Sequence, residues 1–522
     1  MTQTVRKLTP TWVVRFSGSG AEGTFNAHTR GESNVNEVLK NCIQGCAAMA
    51  QTDGVRLRAV VLIRFCCFLL LIAACSCGGG SSASSTQPPK PVMSPPPDPG
   101  IESINHIIFM AQENRSFDHY FGNLNSYRAA NNMAQDVDGL PANSSNPAFS
   151  GSGLINSFHL VSKCVETPSP SWNESQVDLN RISPTSGMAT LDGFVFTAAS
   201  DAMAGGFHDV AGQRAMGFYD STDLPFYYFM ASNFATSDRW FSPVMSRTDP
   251  NRMYLLAGTS SGHVYPLLPG AAPLGDKTIF ELLEEKGISW KIYVTDYAPG
   301  PQTFLSRYAF FTAHPEKIVP VADYLTDTAA GTLPQVAMIE PGYVSGTDEH
   351  PAIDPNVPAG DVQAGSAQVE SLINALMTGP SWKDSVFILT YDEFGGFYDH
   401  VPPQPAVSPD GIPPMDLLPN DWCTSSHGAG GATCDFTYTG FRVPLIVVSP
   451  FTKKGYVSHT TADLTAILKL IETRFALPSL TKRDAAQIDM TEFFDFVAVP
   501  WRTPPTAPVQ PVSGPCYIDH LP

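Results

Sequence analysis

INHIIFMAQENRSFDH, residues 104–119, and VFILTYDEFGGFYDH, residues 386–400, decide the fold. In each, an apolar run reads as a buried strand: Ile104 to Met110 in the first, Val386 to Leu389 in the second. Continuous aliphatic and aromatic side chains fit a strand covered on both faces. Each run then delivers oxygen-bearing side chains where the strand ends, Glu113 and Asn114 in one, Asp392 and Glu393 in the other. Sites in open α/β sheets form beyond the carboxyl ends of strands, so these four residues are expected to converge. Hard oxygen donors suit a divalent cation. Adjoining carboxylates also repel one another unless a cation sits between them. The expectation is a metal-assisted hydrolase.

Working outward, apolar strand-like runs alternate with helical stretches from Ile101 onward, the pattern of an α/β fold with a mainly parallel sheet flanked by helices. Further strands are expected at Ser289 to Val294, Gln335 to Ile339 and Val443 to Val448. Helices are expected at Leu224 to Asn233, Thr278 to Lys286 and Asp463 to Phe475. The last has Leu464, Ile467, Leu468, Ile471 and Phe475 on one face, Thr460 or Thr461 as its cap and Leu477-Pro478 as its stop. The stretch from Ala130 to Ser186 is rich in Asn, Ser and Pro and reads as a loop-rich cap over the sheet. The proline-rich tail beyond Pro500 is expected to wrap the surface.

The 522 residues carry 31 basic and 49 acidic side chains, a net charge of -18. That balance argues against nucleic acid as a partner. It leaves room for a phosphorylated substrate, because a metal supplies local positive charge. Arg56, Arg58 and Arg64 flank and interrupt the apolar run Ala59 to Ala74, which is too short and broken for a spanning helix and fits a secretory signal. Ile72-Ala73-Ala74-Cys75 looks like a bacterial lipobox, with lipid attached to Cys75. Ser76 in place of Asp points to the outer membrane. The expected organisation is an upstream segment over 1–54 arising from a misplaced start, a lipoprotein signal over 55–74, a Gly/Ser/Pro-rich tether over 75–100 and a catalytic domain over 101–522. Of the ten cysteines, only Cys164, Cys423, Cys434 and Cys516 lie in that last region. An even number in an exported domain is compatible with two disulfides, and Cys423 with Cys434 is the expected pair.

Several collinear motifs carry a resemblance. Ile104 to Gly122 is similar to I-x-H-I-V-x-x-x-x-E-N-R-S-F-D-x-Y-F-G, the opening motif of the bacterial phosphoesterase family that contains the non-hemolytic phospholipases C and a respiratory-burst-inhibiting acid phosphatase. Leu191 to Phe194 resembles its M-D-G-F. Met216 to Asp220 with Asp223 to Tyr227 looks like M-G-Y-Y-x-x-x-D-L-P-Y-Y. Thr248 to Arg252 resembles T-x-P-N-R. Asp348 to Pro351, Tyr391 to Glu393 and Tyr398 to Pro403 complete the series, so that the resemblance spans nearly all of Ile101 to Pro478. It implies an alkaline-phosphatase-like α/β fold and hydrolysis of phosphate esters.

The resemblance places the family's metal on Glu113, Asn114, Asp392 and Glu393. The ion is Ca, Mg, Mn or Zn, since all-oxygen sites lean to the first three and zinc also accepts carboxylates. Thr248 stands where the family has Thr or Ser and is the expected nucleophile, forming a phosphothreonine intermediate. Asp249 and Pro250 read as the cap and first residue of a helix through Leu256, whose free N–H groups favour a phosphate. The alternative is that Thr248 only caps that helix. Asn251 and Arg252 are candidate phosphate clamps, with an ion pair as the alternative role of Arg252. His350 is the candidate for protonating the leaving alkoxide or steadying the phosphoryl group. Its neighbours Asp348 and Glu349 are expected to raise its pKa. Asp399-His400 reads as a brace behind the ligands, and His106 as a core residue.

The chain departs from the family's pattern at Pro170, where many relatives have a His before Ser-Trp, and at Leu464, where relatives often have a second His after His459. His159 is the nearby candidate substitute for the first. The favoured substrate is a phosphodiester such as a phospholipid, cleaved as by phospholipase C. The alternatives are a phosphomonoester, as for an acid phosphatase, and a binding lipoprotein without catalysis. Sulfate esters are disfavoured because the Cys/Ser-x-Pro-x-Arg motif is absent.

Overall fold

Strand-forming runs separated by helical ones need a sheet covered on both faces, and a computed structural model of the protein has this arrangement. It describes residues 99–268, 270–298, 304–427 and 430–521. The upstream segment, the signal with Cys75 and all but the last two residues of the tether lie outside the described residues. The central sheet has eight strands: β1 (His106–Gln112), β2 (Ala235–Ser237), β3 (Trp290–Val294), β4 (Ile318–Pro320), β5 (Val336–Glu340), β6 (Ser385–Tyr391), β7 (Leu445–Val448) and β8 (Tyr456–Ser458). Their order is β8-β2-β7-β6-β1-β5-β3-β4. The run β6-β1-β5-β3-β4 is parallel throughout, while β7 is antiparallel to both of its neighbours. The expected α/β class with a mainly parallel sheet is the observed one.

Two helical layers enclose the sheet. Pro225–Asn233, Val321–Ala330 and Val362–Thr378 pack together, and Thr248–Ala257, Ile279–Glu285 and Thr465–Phe475 form the other layer. Thr278 starts Ile279–Glu285 through a capping box with Glu281, which satisfies two otherwise orphaned backbone donors. The Thr465–Phe475 helix differs from expectation at its start. Leu464 is its N-cap residue, and Ala462–Asp463 pairs with Trp240–Phe241 as a short strand. Asp463 then accepts from Thr465 N at 2.8 Å and serves the capping role expected of Thr460 or Thr461.

The excursion after the first motif forms short two-stranded ladders, Ser145–Pro147 with Leu154–Asn156 and Phe158–His159 with Gly217–Phe218, and the Trp172–Leu179 helix. Disulfides link Cys423 to Cys434, the expected pair, and Cys164 to Cys516. The second bond ties the C-terminal tail to the excursion.

Candidate active site

β1 and β6 are parallel neighbours in register from His106↔Ser385 to Gln112↔Tyr391. The next residues on both strands therefore leave the sheet at one level. Asp392 N donates to Gln112 O at 3.0 Å, and Arg115 N to Glu393 O at 3.0 Å. Asn114 turns in the left-handed region, with φ of 61°, a conformation asparagine tolerates better than most residues with a Cβ. The turn lets Asn114 Nδ2 donate to Glu393 Oε1 at 2.7 Å and Asn114 N to Asp392 Oδ1 at 3.2 Å. Gly395, with φ of 72°, closes the loop against it, because a Cβ there would lie 2.2 Å from the Asn114 carbonyl oxygen.

Thr248 comes to this group from a separate helix. Its Oγ1 lies 3.1 Å from Glu113 Oε2 and 3.3 Å from Glu393 Oε1. The helix begins two residues earlier than expected: Arg247 is the N-cap residue and Thr248 the first helical residue. Asp249 does not cap it and instead accepts from Leu267 N. Four of the residues expected at the metal, with the expected nucleophile, are thus one cluster.

The cluster is buried and short of positive charge. Glu113 is 2%, Asn114 2%, Asp392 0% and Glu393 1% exposed. Burial, reinforced by the charge of Glu113, pushes the Asp392 carboxyl well up. Burial and then Asp392 and Glu113 do the same to Glu393. Asn114 Oδ1, Asp392 Oδ2 and Glu393 Oε2 are buried without a hydrogen-bond partner among the described residues. Orphaned buried oxygens cost free energy. Three of them on three neighbouring side chains form an oxygen donor set that fits a divalent ion.

Arg252 supplies one cation to this cluster. Its Nη2 lies 2.8 Å from Glu113 Oε1 and 3.0 Å from Ala111 O, its Nε 3.4 Å from Asp392 Oδ2 and its Nη1 3.5 Å from Glu340 Oε2. The ion-pair role is the one its geometry takes. Asn251, expected as a phosphate clamp, is fully buried and spent internally: Oδ1 accepts from Val244 N, and Nδ2 donates to Ser246 O and Arg247 O. It shapes the turn that delivers Thr248.

His350 differs from expectation in its electrostatics. Burial pulls its imidazole below the ordinary value, against the opposing pull of Glu113. Its Nδ1 lies 2.6 Å from Pro351 O, so Nδ1 carries the proton and Nε2 is the open nitrogen. Glu349 does not face it. With φ of 68°, that residue turns its side chain into the core instead. Asp348 is the neighbour with unusual acid chemistry, its carboxyl pushed up to about 7 by burial and by Glu113.

Arg247 escaped the sequence reading. It is exposed, its guanidinium has no hydrogen bond or ion pair among the described residues, and its charge reaches Glu393, His350, Glu174 and Asp201. Its position directly before Thr248 was the available signal.

Asp399-His400 sits one layer back. Arg442 Nε pairs with Asp399 at 2.8 Å and its Nη2 with Asp118 at 2.9 Å, while His400 Nδ1 meets Asp118 at 2.6 Å. These groups, like His159 with Asp220 and Asp223, are close enough to share an ion. Arg442 already balances the first group. His159 is spent on Asp223 at 2.7 Å. Pro168 and Ser169 lie against Gly396 of the site loop, so the departure at Pro170 falls close to the site. Leu464 is buried in the core. His106 is half-buried at the start of β1, bonded to Pro334 O at 2.9 Å.

The Phosphoesterase family matches this chain over residues 104–478. Phospholipase C B of Mycobacterium tuberculosis is 31% identical over 453 residues, covering 77% of this chain and 80% of that one. Non-specific phospholipase C1 of Arabidopsis thaliana is 32% identical over 401 residues, covering 73% and 69%. Likeness to solved structures is distant: murine ectonucleotide pyrophosphatase/phosphodiesterase 5 is 10% identical with a TM-score of 0.32, covering 52% of this chain and 95% of that one. With a match across most of its length and relatives of this similarity, the chain belongs to the phosphoesterase family and is a hydrolase of phosphate-ester bonds.

Proposed function

We propose that the chain is a phospholipase C-type phosphodiesterase that uses Thr248 as nucleophile and a divalent ion held by Glu113, Asn114, Asp392 and Glu393. The observation that carries this reading is Thr248 Oγ1 standing at a helix start between Glu113 and Glu393, beside three orphaned ligand-type oxygens. A bound divalent ion supplies charge to lower the hydroxyl pKa and to polarise the phosphoryl group. Thr248 Oγ1 attacks phosphorus as its proton passes to the carboxylate that accepts its hydrogen bond. The bond to the leaving alkoxide breaks, and the phosphothreonine is later hydrolysed by water. The free N–H groups of the Thr248–Ala257 helix and the exposed Arg247 hold the non-bridging oxygens.

His350 is the proton-transfer group of this reading. Because its imidazole is neutral at rest near neutral pH, protonation of the alkoxide is favoured at acidic pH, and Asp348 is a second proton reservoir in the same turn. That feature keeps the acid-phosphatase reading as the rival. The relatives named as phospholipases C favour the diester. Cys75 is proposed as the lipid attachment that holds the enzyme at the bacterial outer membrane, near phospholipid. A binder without catalysis would have little reason to keep three buried acids around one threonine hydroxyl.

Purified protein loaded in turn with Ca, Mg, Mn and Zn is assayed on phosphatidylcholine vesicles and on a phosphomonoester from pH 4 to 9. Phosphocholine release supports the diester reading, and orthophosphate release from the monoester alone would replace it with the acid phosphatase. T248A is expected to lower kcat by at least about 10³-fold, in the range for loss of a catalytic nucleophile. Retained turnover in T248A would remove Thr248 as nucleophile.

A further inference from the structure

Glu349 is a fully buried carboxylate in a backbone conformation that residues with a Cβ avoid. Its side chain makes contacts that a glycine could not. Tyr120 and Tyr391 donate to Oε2 at 2.5 and 2.7 Å. Tyr227 and Gln112 Nε2 donate to Oε1 at 2.6 and 3.1 Å. Burial pushes all three phenols well above their ordinary values, so they remain protonated donors. Gly365 makes room, since a Cβ there would lie 2.2 Å from Glu349 Cγ.

Those donors come from the separate sequence motifs around the site. Gln112 directly precedes Glu113-Asn114, and Tyr391 directly precedes Asp392-Glu393. Tyr120 belongs to the first motif, and Tyr227 follows Leu224-Pro225. The backbone around Glu349 is tied in as well. Arg115 Nε and Nη2 donate to Glu349 O at 3.1 and 2.5 Å, and Glu113 N donates to Asp348 O at 3.0 Å. We infer that Glu349 is the positioning residue of the site, its carboxylate in the Tyr120–Tyr227–Tyr391–Gln112 cage setting where the two ligand turns and His350 stand relative to one another. The inference rests on the proposed reading of those residues. Glu349 touches no reacting atom and acts through its neighbours.

The test uses the full chain as wild type, E349Q, Y227F, Y120F and T248A, each stripped of ions. Affinity for Mn2+ alone is measured by calorimetry, kcat and KM on phosphatidylcholine vesicles, and folding by thermal melts well above the assay temperature. E349Q keeps the shape and replaces one acceptor oxygen by a donor. Loss of an outer partner of a ligand set typically costs 10- to 100-fold in metal affinity or activity. The same range is expected here for Mn2+ affinity and kcat in folded E349Q, with KM within threefold of wild type. Y227F and Y120F are expected to lose about three- to tenfold in both, scaled down from that range as each removes one of the four donors. A merely structural role would lower the melting temperature and leave the ion affinity of the folded protein unchanged. Folded E349Q with Mn2+ affinity and kcat within threefold of wild type overturns the inference. If E349Q does not fold, the same result in both tyrosine variants overturns it. T248A separates the two claims: full activity in T248A defeats the nucleophile while the Mn2+ affinities still decide Glu349.

Discussion

Thr248 owes its place to Asn251, whose three side-chain bonds close the turn from Val244 to Arg247, and to the carboxylates that face it. The same turn leaves the Arg247 side chain exposed and, among the described residues, without an ion pair, while Arg252 is consumed by Glu113, Asp392 and Glu340. In the proposed reading, a guanidinium without such partners is available to an anionic substrate without first breaking a protein contact. R247A is therefore expected to raise KM about tenfold, the scale of one charge-assisted hydrogen bond, with kcat changed less than threefold. Steady-state kinetics on phosphatidylcholine vesicles checks it, and an unchanged KM would remove Arg247 from the substrate. His350 shows where residue-level reading failed. Adjacency in sequence put Glu349 beside it, but the left-handed backbone at 349 sends that carboxylate into the tyrosine cage. Burial then decides the direction of the imidazole shift.

Among the elements, the parallel pair β1 and β6 does most to build the site. Each is buried along nearly its whole length, so their register is strongly specified. That register places Glu113-Asn114 beside Asp392-Glu393. The loop after β6 must then cross the Asn114 turn at close range, and only glycine fits at 395. In G395A the added methyl would need the Asn114 turn to move. A loss of about 2 kcal/mol or more in stability is expected from strain at a left-handed position, together with weakened divalent-ion binding. Chemical denaturation and ion titration of G395A test this; a variant as stable and as ion-competent as wild type would contradict the packing argument. The direction of β7 was not readable, because an apolar run such as Leu445–Val448 looks the same in either direction.

At the scale of the whole molecule, several buried carboxyls are held above their ordinary values: Asp348 up to about 7, Asp399 up to about 6 and Glu472 up to about 8, each chiefly by burial. The folded state therefore holds protons that the unfolded chain releases near pH 4. Their stabilising contribution is fully present below that pH and is lost as pH rises through about 6 to 8. Ion-stripped protein is expected to melt at a higher temperature at pH 5 than at pH 8. A saturating divalent ion should raise the pH 8 value more than the pH 5 value, because it binds deprotonated ligands. Calorimetry at both values, with and without ion, checks the sign. A higher melting temperature at pH 8 in the ion-free protein would refute it.

Residue types and their order were enough to identify two buried strands, the four oxygen donors behind them, Thr248 and the family, because apolar runs and clustered motifs are local properties of the chain. The disulfide between Cys423 and Cys434 was readable for the same reason, while that between Cys164 and Cys516 spans 352 residues and was not. The tertiary structure alone decided which cations are spent and which are free, where the Thr248 helix begins and which way Glu349 points. Those outcomes depend on burial and on contacts between distant segments: Arg252 with Glu113, Asn251 with the turn before Thr248, and Glu349 with three tyrosines from three motifs. Charge and hydrogen-bond partners are set by what lies across the fold, and sequence spacing carries no record of that distance.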